Sequence, residues 1–268
     1  MLTGLAGIDH FMGGLPAGIV DIYGDAGVGK TALAAQLLAQ AGRDDRPALL
    51  VCSQLPDVER MRALGVPDDL PVYLPDSWAQ MCFVLVRILR NTKGCLVVVD
   101  SSAGLETTLE TGERLGTVDQ RARRVEIEEV LLALSWAALS GGSTVVLLSE
   151  LRDVQRTRRT GSSLRQFDRR RFTARIELQQ LKYVAAYGRM HHKVIQWRTL
   201  HSRVGQPGAT YRLHLFDETG FDRHFEMLRC WTATGQVTRR GGMLELETGV
   251  RLGPGYERAT QQLRAMVP

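Results

Sequence analysis

The sequence predicts an α/β fold: a mostly parallel central sheet flanked by helices and extended toward the C-terminus by antiparallel strands. Three observations carry that reading. Apolar runs at 48–52, 95–99 and 143–149 alternate with longer segments of helix formers, the pattern of parallel strands covered on both faces. A glycine-rich stretch, 24–31, lies between a short strand and a helix. After Arg171 the spacing changes to short strands with short connections, at 174–181, 193–198 and 210–216.

The elements follow in order. Residues 18–23 read as a strand and 32–40 as a helix rich in alanine, leucine and glutamine. The run 48–52 is a buried strand, and 56–64 a loop with a short helix. A helix is predicted across 78–90. The apolar run 95–100 ends in Asp100, as a central parallel strand does. Apolar spacing predicts a helix over 125–139, and 143–149 is the next strand. Short helices are predicted at 226–234 and 256–267, with a β-hairpin between them around Arg240-Gly241-Gly242. No repeat or linker stands out, so residues 1–268 are expected to form one domain. Residues 1–20 are its short lead-in and 217–268 a small helix and hairpin portion.

Composition narrows the class. Of 268 residues, 44% are hydrophobic and 24% charged, which argues against disorder. No apolar run approaches the about 20 residues that span a membrane, and the first residues lack the pattern of a secretory leader. Cys52, Cys82, Cys95 and Cys230 are scattered without metal spacing and suit a reducing compartment. A cytoplasmic location is expected, without a membrane partner.

Residues Gly24, Asp25, Ala26, Gly27, Val28, Gly29, Lys30 and Thr31 satisfy G-x-x-x-x-G-K-[ST] in full. In such a loop the glycines let backbone N–H groups close on phosphate oxygens, the lysine reaches the β- and γ-phosphates, and the hydroxyl meets Mg2+. The motif implies ATP with Mg2+. Asp100, ending its apolar strand, is the natural second magnesium ligand beside Thr31. Glu150, ending the next strand, is the best-placed acid to orient a water for attack on the γ-phosphate.

Charge is concentrated. Between Arg152 and Arg171 eight arginines (152, 156, 158, 159, 165, 169, 170 and 171) stand against two aspartates. That segment carries +6 in a chain of net +5, so the remainder is near neutral. Its serines, threonines and glycine suit a mobile loop, and arginines there would grip a nucleic-acid backbone without sequence preference. Phe167 and Phe172 offer base stacking. A second cationic stretch, 112–124, ends in Arg121, Arg123 and Arg124; an exposed helix start explains it as well as DNA contact does.

Read together, these residues resemble the RecA/RadA family of homologous-recombination ATPases. Thr3-Gly4-Leu5-Ala6-Gly7-Ile8-Asp9 and Gly13-Gly14-Leu15-Pro16-Ala17-Gly18 are similar to the family's lead-in to its P-loop, and Leu96 to Ser102 to its Walker B strand. Lys193-Val194-Ile195, residues 211–216 and Gly220-Phe221-Asp222 are similar to the end of the bacterial core. The resemblance implies a RecA-like P-loop NTPase core. It puts the two loops that hold single-stranded DNA at about 112–124 and 152–171. It also implies that Arg60 stacks on the adenine, that Asp57 meets its amino group, and that Arg198 reaches a neighbouring subunit's ATP.

Two departures stand out. Where the family has its catalytic glutamate, after the strand 49–52, this chain has Cys52-Ser53-Gln54. Where the family has a γ-phosphate-sensing glutamine, it has Glu150. Either the acid and the amide have exchanged places, with Gln54 and Glu150 sharing the water, or the hydrolytic centre is degraded. Little chain precedes the P-loop strand, so the family's N-terminal oligomerisation element is expected to be missing or minimal.

Three functions follow as expectations. The first is a compact recombinase that binds ATP, coats single-stranded DNA (or pairs it with duplex) as a homo-oligomer or filament, and acts in recombination and repair. The second is a weakly hydrolysing paralogue that serves a recombinase or polymerase partner. The third is a DNA helicase of the same fold.

Overall fold

The fold is that of a computed structural model describing residues 1–107, 120–154, 159–164, 166–184, 191–205 and 207–267. At its centre is β1 (Gly18–Gly24), in which every residue is buried. Such a strand needs a partner on each edge and cover on each face. Its parallel partners are β5 (Thr144–Val154) and β7 (Ala174–Val184). Beyond β5 the sheet continues in parallel through β4 (Leu96–Asp100), β2 (Ala48–Cys52) and β3 (Val72–Tyr73). Beyond β7 it continues antiparallel through β8 (His192–Ser202), β9 (Thr210–Phe216) and β10 (Gly220–Phe221). The expected α/β architecture is therefore present, with order β10-β9-β8-β7-β1-β5-β4-β2-β3.

Alternation along the strands supplies two cores. On one face Val20, Ile22, Leu50, Val98 and Val146 pack under α1 (Ala6–Met12), α2 (Lys30–Arg43) and α3 (Val58–Ala63). On the other, Ile19, Val97, Val145 and Leu147 pack under α4 (Trp78–Asn91) and α5 (Gln120–Gly141). Local signals fix the helix starts. Ser77 caps α4 by accepting from the Gln80 N–H, and Asp57 caps α3 by accepting from that of Arg60.

The C-terminal portion has a small core of its own. Leu228 of α6 (Arg223–Ala233) and Leu263 of α7 (Gly255–Met266) pack with Val237, Leu244 and Leu252. The last three lie on a three-stranded sheet of β11 (Val237–Arg240), β12 (Met243–Leu246) and β13 (Arg251–Pro254). The hairpin expected around 240–242 joins β11 to β12. Gly241 and Gly242 have φ of 55° and 82°, the positive values that a two-residue hairpin turn requires.

One expectation needs correction. The run 152–171 is not a single mobile loop. Strand β5 carries on to Val154, and β6 (Arg159–Ser162) pairs back on it, with Leu151 opposite Ser162 and Arg152 opposite Gly161. Cross-strand pairing gives the backbone polar groups partners, which arginine-rich composition does not forecast. The chain then crosses the α5 face, burying Leu164, Phe167 and Phe172, and makes a 3-10 turn at Arg169–Arg171. Both phenylalanines are core residues, so neither offers its ring to a base.

The seam between β9 and α6 gives the fold a pH dependence. Glu226 is fully buried and accepts from the His214 N–H at 2.9 Å and the Tyr211 hydroxyl at 3.2 Å. Burial pushes its pKa up to about 7, against the pull of Arg229 and those hydrogen bonds. Unfolded, it ionises near 4.5. Its stabilising contribution is therefore whole below that pH and lost as pH rises through about 7, on the order of 3 kcal/mol. His214 acts oppositely: burial, then Arg229, hold its pKa down to about 3, so its contribution is lost as pH falls. Glu226→Gln keeps the hydrogen-bonding shape and removes the carboxyl titration. The advantage of wild type over this variant in melting temperature is expected to be largest near pH 4.5 and to vanish above pH 7. A difference that does not change with pH would contradict this account.

Candidate nucleotide site and nucleic-acid interface

Strand register assembles the site at the C-terminal edge of the parallel strands. Gly24 at the end of β1 lies opposite Glu150 of β5, while Asp100 of β4 lies opposite Leu148 of β5 and Cys52 of β2. The loop from Gly24 turns into α2 at Lys30. Gly27 and Gly29 have φ of 72° and 108°, which side-chain-bearing residues rarely adopt. A Cβ on Gly24 would come within 2.4 Å of the Leu178 carbonyl oxygen. The loop is thus pressed against its own sheet, with its turn open to solvent at Gly27.

Lys30 folds back over this loop, its Nζ donating to the Gly24 and Asp25 carbonyl oxygens at 2.8 and 2.9 Å. Burial lowers its pKa, while Glu150, Asp100 and Asp25 pull it up. Asp100 is hydrogen-bonded to the Thr31 side chain; burial raises its pKa against Thr31 and Lys30. A buried carboxylate touching a hydroxyl at the loop's end fits a magnesium ion that keeps waters and phosphate oxygens as its other ligands. Among the described residues no group of three histidines, cysteines or acids could hold a metal, so a metal here needs a ligand's oxygens.

A cleft of about 560 Å³ opens beside the loop. It is lined by Thr31, Cys52, Ser53, Gln54, Asp57, Arg60, Asp100 and Glu150, among others. Both groups expected to share a water, Gln54 and Glu150, therefore face one space. Ser53 packs on Gly104, where a Cβ would meet its Oγ at 2.3 Å. Across the cleft, Arg60 donates from both terminal nitrogens to the carbonyls of Glu218 and Asp217, at 2.9 and 2.8 Å. Those bonds hold its guanidinium at the rim. Asp57 is committed in part to its capping bond with the Arg60 N–H at 2.9 Å.

Arg198 is not among the residues lining this cleft. On β8 it faces Glu177 of the same chain at 3.5 Å, half-exposed, an ion pair of the weak surface kind. The residue of β8 that does touch the loop is Lys193, whose Nζ donates to the Gly27 carbonyl oxygen at 2.9 Å. Sequence reasoning missed this contact. No local signal announces it, because it depends on β8 and β9 folding back over the loop, where Ile195 and Leu215 crowd Gly29.

The expected DNA-contacting arginines separate into three places. Arg121, Arg123 and Arg124 lie on the first turns of α5, with Arg124 donating to the Gln166 carbonyl at 2.9 Å. Arg152 and Arg159 lie on the β5–β6 hairpin, whose pairing begins at Leu151, one residue after Glu150. Arg156, Arg158, Arg165 and residues 112–119 lie outside the described residues. Arg169, Arg170 and Arg171 lie by the opposite edge of the sheet, where the Thr173 N–H donates to the Ile19 carbonyl at 2.7 Å. Strand β1 separates the two edges by roughly 20 Å, at about 3.3 Å per residue.

Known proteins resemble this chain. The family model described as the RecA N-terminal domain matches residues 1–159. Protein RecA 1 of Myxococcus xanthus is 25% identical over 274 residues, covering 98% of this chain and 79% of that protein. RecA of Thermus thermophilus is 25% identical over 265 residues, covering 94% of this chain and 76% of its own length. A solved structure, described as the crystal structure of the RadB recombinase, aligns with a TM-score of 0.56 over 82% of this chain and 98% of that one. At 19% identity that is a likeness of fold.

Proposed function

The chain belongs to the RecA N-terminal-domain family, and from that premise we propose that it is a RecA-like recombinase acting in homologous recombination and DNA repair. It binds ATP with Mg2+, binds single-stranded DNA, and assembles as a homo-oligomer on that DNA. One observation carries the reading: the strand that brings Glu150 beside the P-loop runs on, from the next residue, into an arginine-bearing hairpin. Nucleotide and DNA would then meet the two ends of one rigid element.

In this reading the loop amides and Lys30 hold the β- and γ-phosphates, exchanging the carbonyl contacts of Lys30 for phosphate oxygens. Thr31 and Asp100 hold Mg2+, which supplies charge neutralisation at the phosphates. Glu150, with Gln54 across the cleft, orients the attacking water. Arg60 offers its guanidinium face to the adenine, and Asp57 borders the same pocket. Arg198, only weakly held by Glu177, is able to reach a neighbouring subunit's nucleotide. Arg121, Arg123, Arg124, Arg152 and Arg159 contact the DNA backbone, together with Arg156, Arg158 and Arg165.

Ser53 favours a second reading, an accessory paralogue in which bound ATP sets a conformation and is hydrolysed little. The recombinase reading requires nucleotide-dependent DNA binding, and the paralogue reading does not. Anisotropy of a labelled oligothymidylate, titrated with and without ATP and Mg2+, checks that directly. Tighter binding with ATP is expected, together with a larger species in sedimentation. DNA affinity and mass indifferent to ATP would refute the oligomerising recombinase.

A further inference from the structure

The segment that reads as one arginine run is divided by folding between two edges of the sheet, and the part remote from the nucleotide gains cations from elsewhere. We propose that Arg169, Arg171 and Arg203 form a separate cationic surface at the N-terminal edge of the sheet. It grips the phosphate backbone of a nucleic acid independently of the hairpin and of bound nucleotide.

Two segments distant in sequence build this surface. The Arg203 N–H donates to the Thr173 carbonyl at 2.9 Å, and the Arg203 guanidinium donates to the Arg170 carbonyl. These bonds set the end of β8 against the turn Arg169–Arg171. Arg169 and Arg203 are exposed, and neither is paired with a carboxylate among the described residues. The Nε of Arg171 is buried with no partner. Asp168 is the local acid, and Arg170 already binds it at 2.9 Å through two nitrogens. The field of the cluster is felt by His201, whose pKa is lowered by burial and then by Arg169, Arg203 and Arg175.

Like charges gathered by the fold and left without carboxylate partners among the described residues are best answered by a multivalent anion, whose binding releases counterions. Phe167 and Phe172, the aromatics of the segment itself, are buried and offer no ring to a base. Contact is therefore with the backbone, without sequence preference. Arg175 takes no part, since its charge is spent on Asp21 within the core.

The test is the salt dependence of duplex-oligonucleotide binding without ATP. The proteins compared are wild type, Arg169→Gln, Arg169→Gln/Arg203→Gln and, as a control for charge lost elsewhere, Arg239→Gln/Arg240→Gln on β11, both exposed. The slope of log K against log salt is expected to fall by about one for the single variant and about two for the double, with affinity down about tenfold at physiological salt. The control variant keeps the wild-type slope. The Arg169 side chain makes no hydrogen bond or ion pair among the described residues, so the single variant keeps its melting temperature. An unchanged slope in the double variant overturns the proposal. So does polyglutamate competing as strongly as DNA, which would mark an acidic protein as the partner. If wild type shows no ATP-dependent single-strand binding while this slope still answers to Arg169 and Arg203, the recombinase reading fails and this one stands.

Discussion

Lys30→Ala is expected to abolish nucleotide-dependent activity, with turnover down by at least about 100-fold and ATP affinity sharply weakened, while the fold survives. Lys30 makes two bonds to loop carbonyls at the edge of the sheet and carries little of the core. Its electrostatic role is larger. It is the cation toward which Glu150, Asp100 and Asp25 converge, and each of them favours its charged form. Without it, three carboxylates would face the phosphates of the ligand unopposed. Titration with a fluorescent ATP analogue, alongside circular dichroism, checks both halves. Wild-type affinity in a folded Lys30→Ala protein would remove the loop from the nucleotide site.

The largest effect on stability is expected deep in the sheet. Asp21 of β1 is wholly buried. Its Oδ1 accepts from the Ser149 hydroxyl at 2.6 Å, and its Oδ2 lies 3.4 Å from the Arg175 Nε. Arg175 in turn donates to the Leu164 carbonyl at 2.6 Å and stacks 4.0 Å above the Phe172 ring. Removing one partner of a buried pair takes a counter-ion from a charge that water does not reach, at a cost of about 3–5 kcal/mol. Arg175→Met is expected to lose that much in urea denaturation. The triple variant Asp21→Leu/Ser149→Ala/Arg175→Met is expected to recover most of it, because uncharged residues of similar size need no compensation. A loss below about 1 kcal/mol for Arg175→Met would mean that the pair is not desolvated.

How much of this was legible depends on where each signal resides. Strands β1, β2 and β4 were readable because burial on both faces makes them continuous apolar runs, and the loop at 24–31 because phosphate binding restricts its residues directly. Asp100 was readable as the end of such a run. Helix α1 was not. Its seven residues include Gly7 and carry weak propensity; what holds them is tertiary, with Asp9 accepting from the Thr3 and Gly4 N–H groups at 2.7 and 3.0 Å. The β5–β6 hairpin was hidden because arginine, threonine and glycine suggest a loop, whereas pairing with a neighbouring strand settles the matter. Lys193 and the edge carrying Arg203 were hidden for a related reason. Each acquires its neighbours from elements far away in the chain.

Most of these features converge on one claim: that ATP held at Gly24–Thr31 is coupled through Glu150 to DNA. ATP turnover, with and without single-stranded DNA, tests it most directly, in wild type and in Glu150→Gln. Turnover is expected to be stimulated by DNA in wild type and lost in Glu150→Gln, which still binds ATP. Turnover indifferent to DNA, or equally fast in Glu150→Gln, would contradict it.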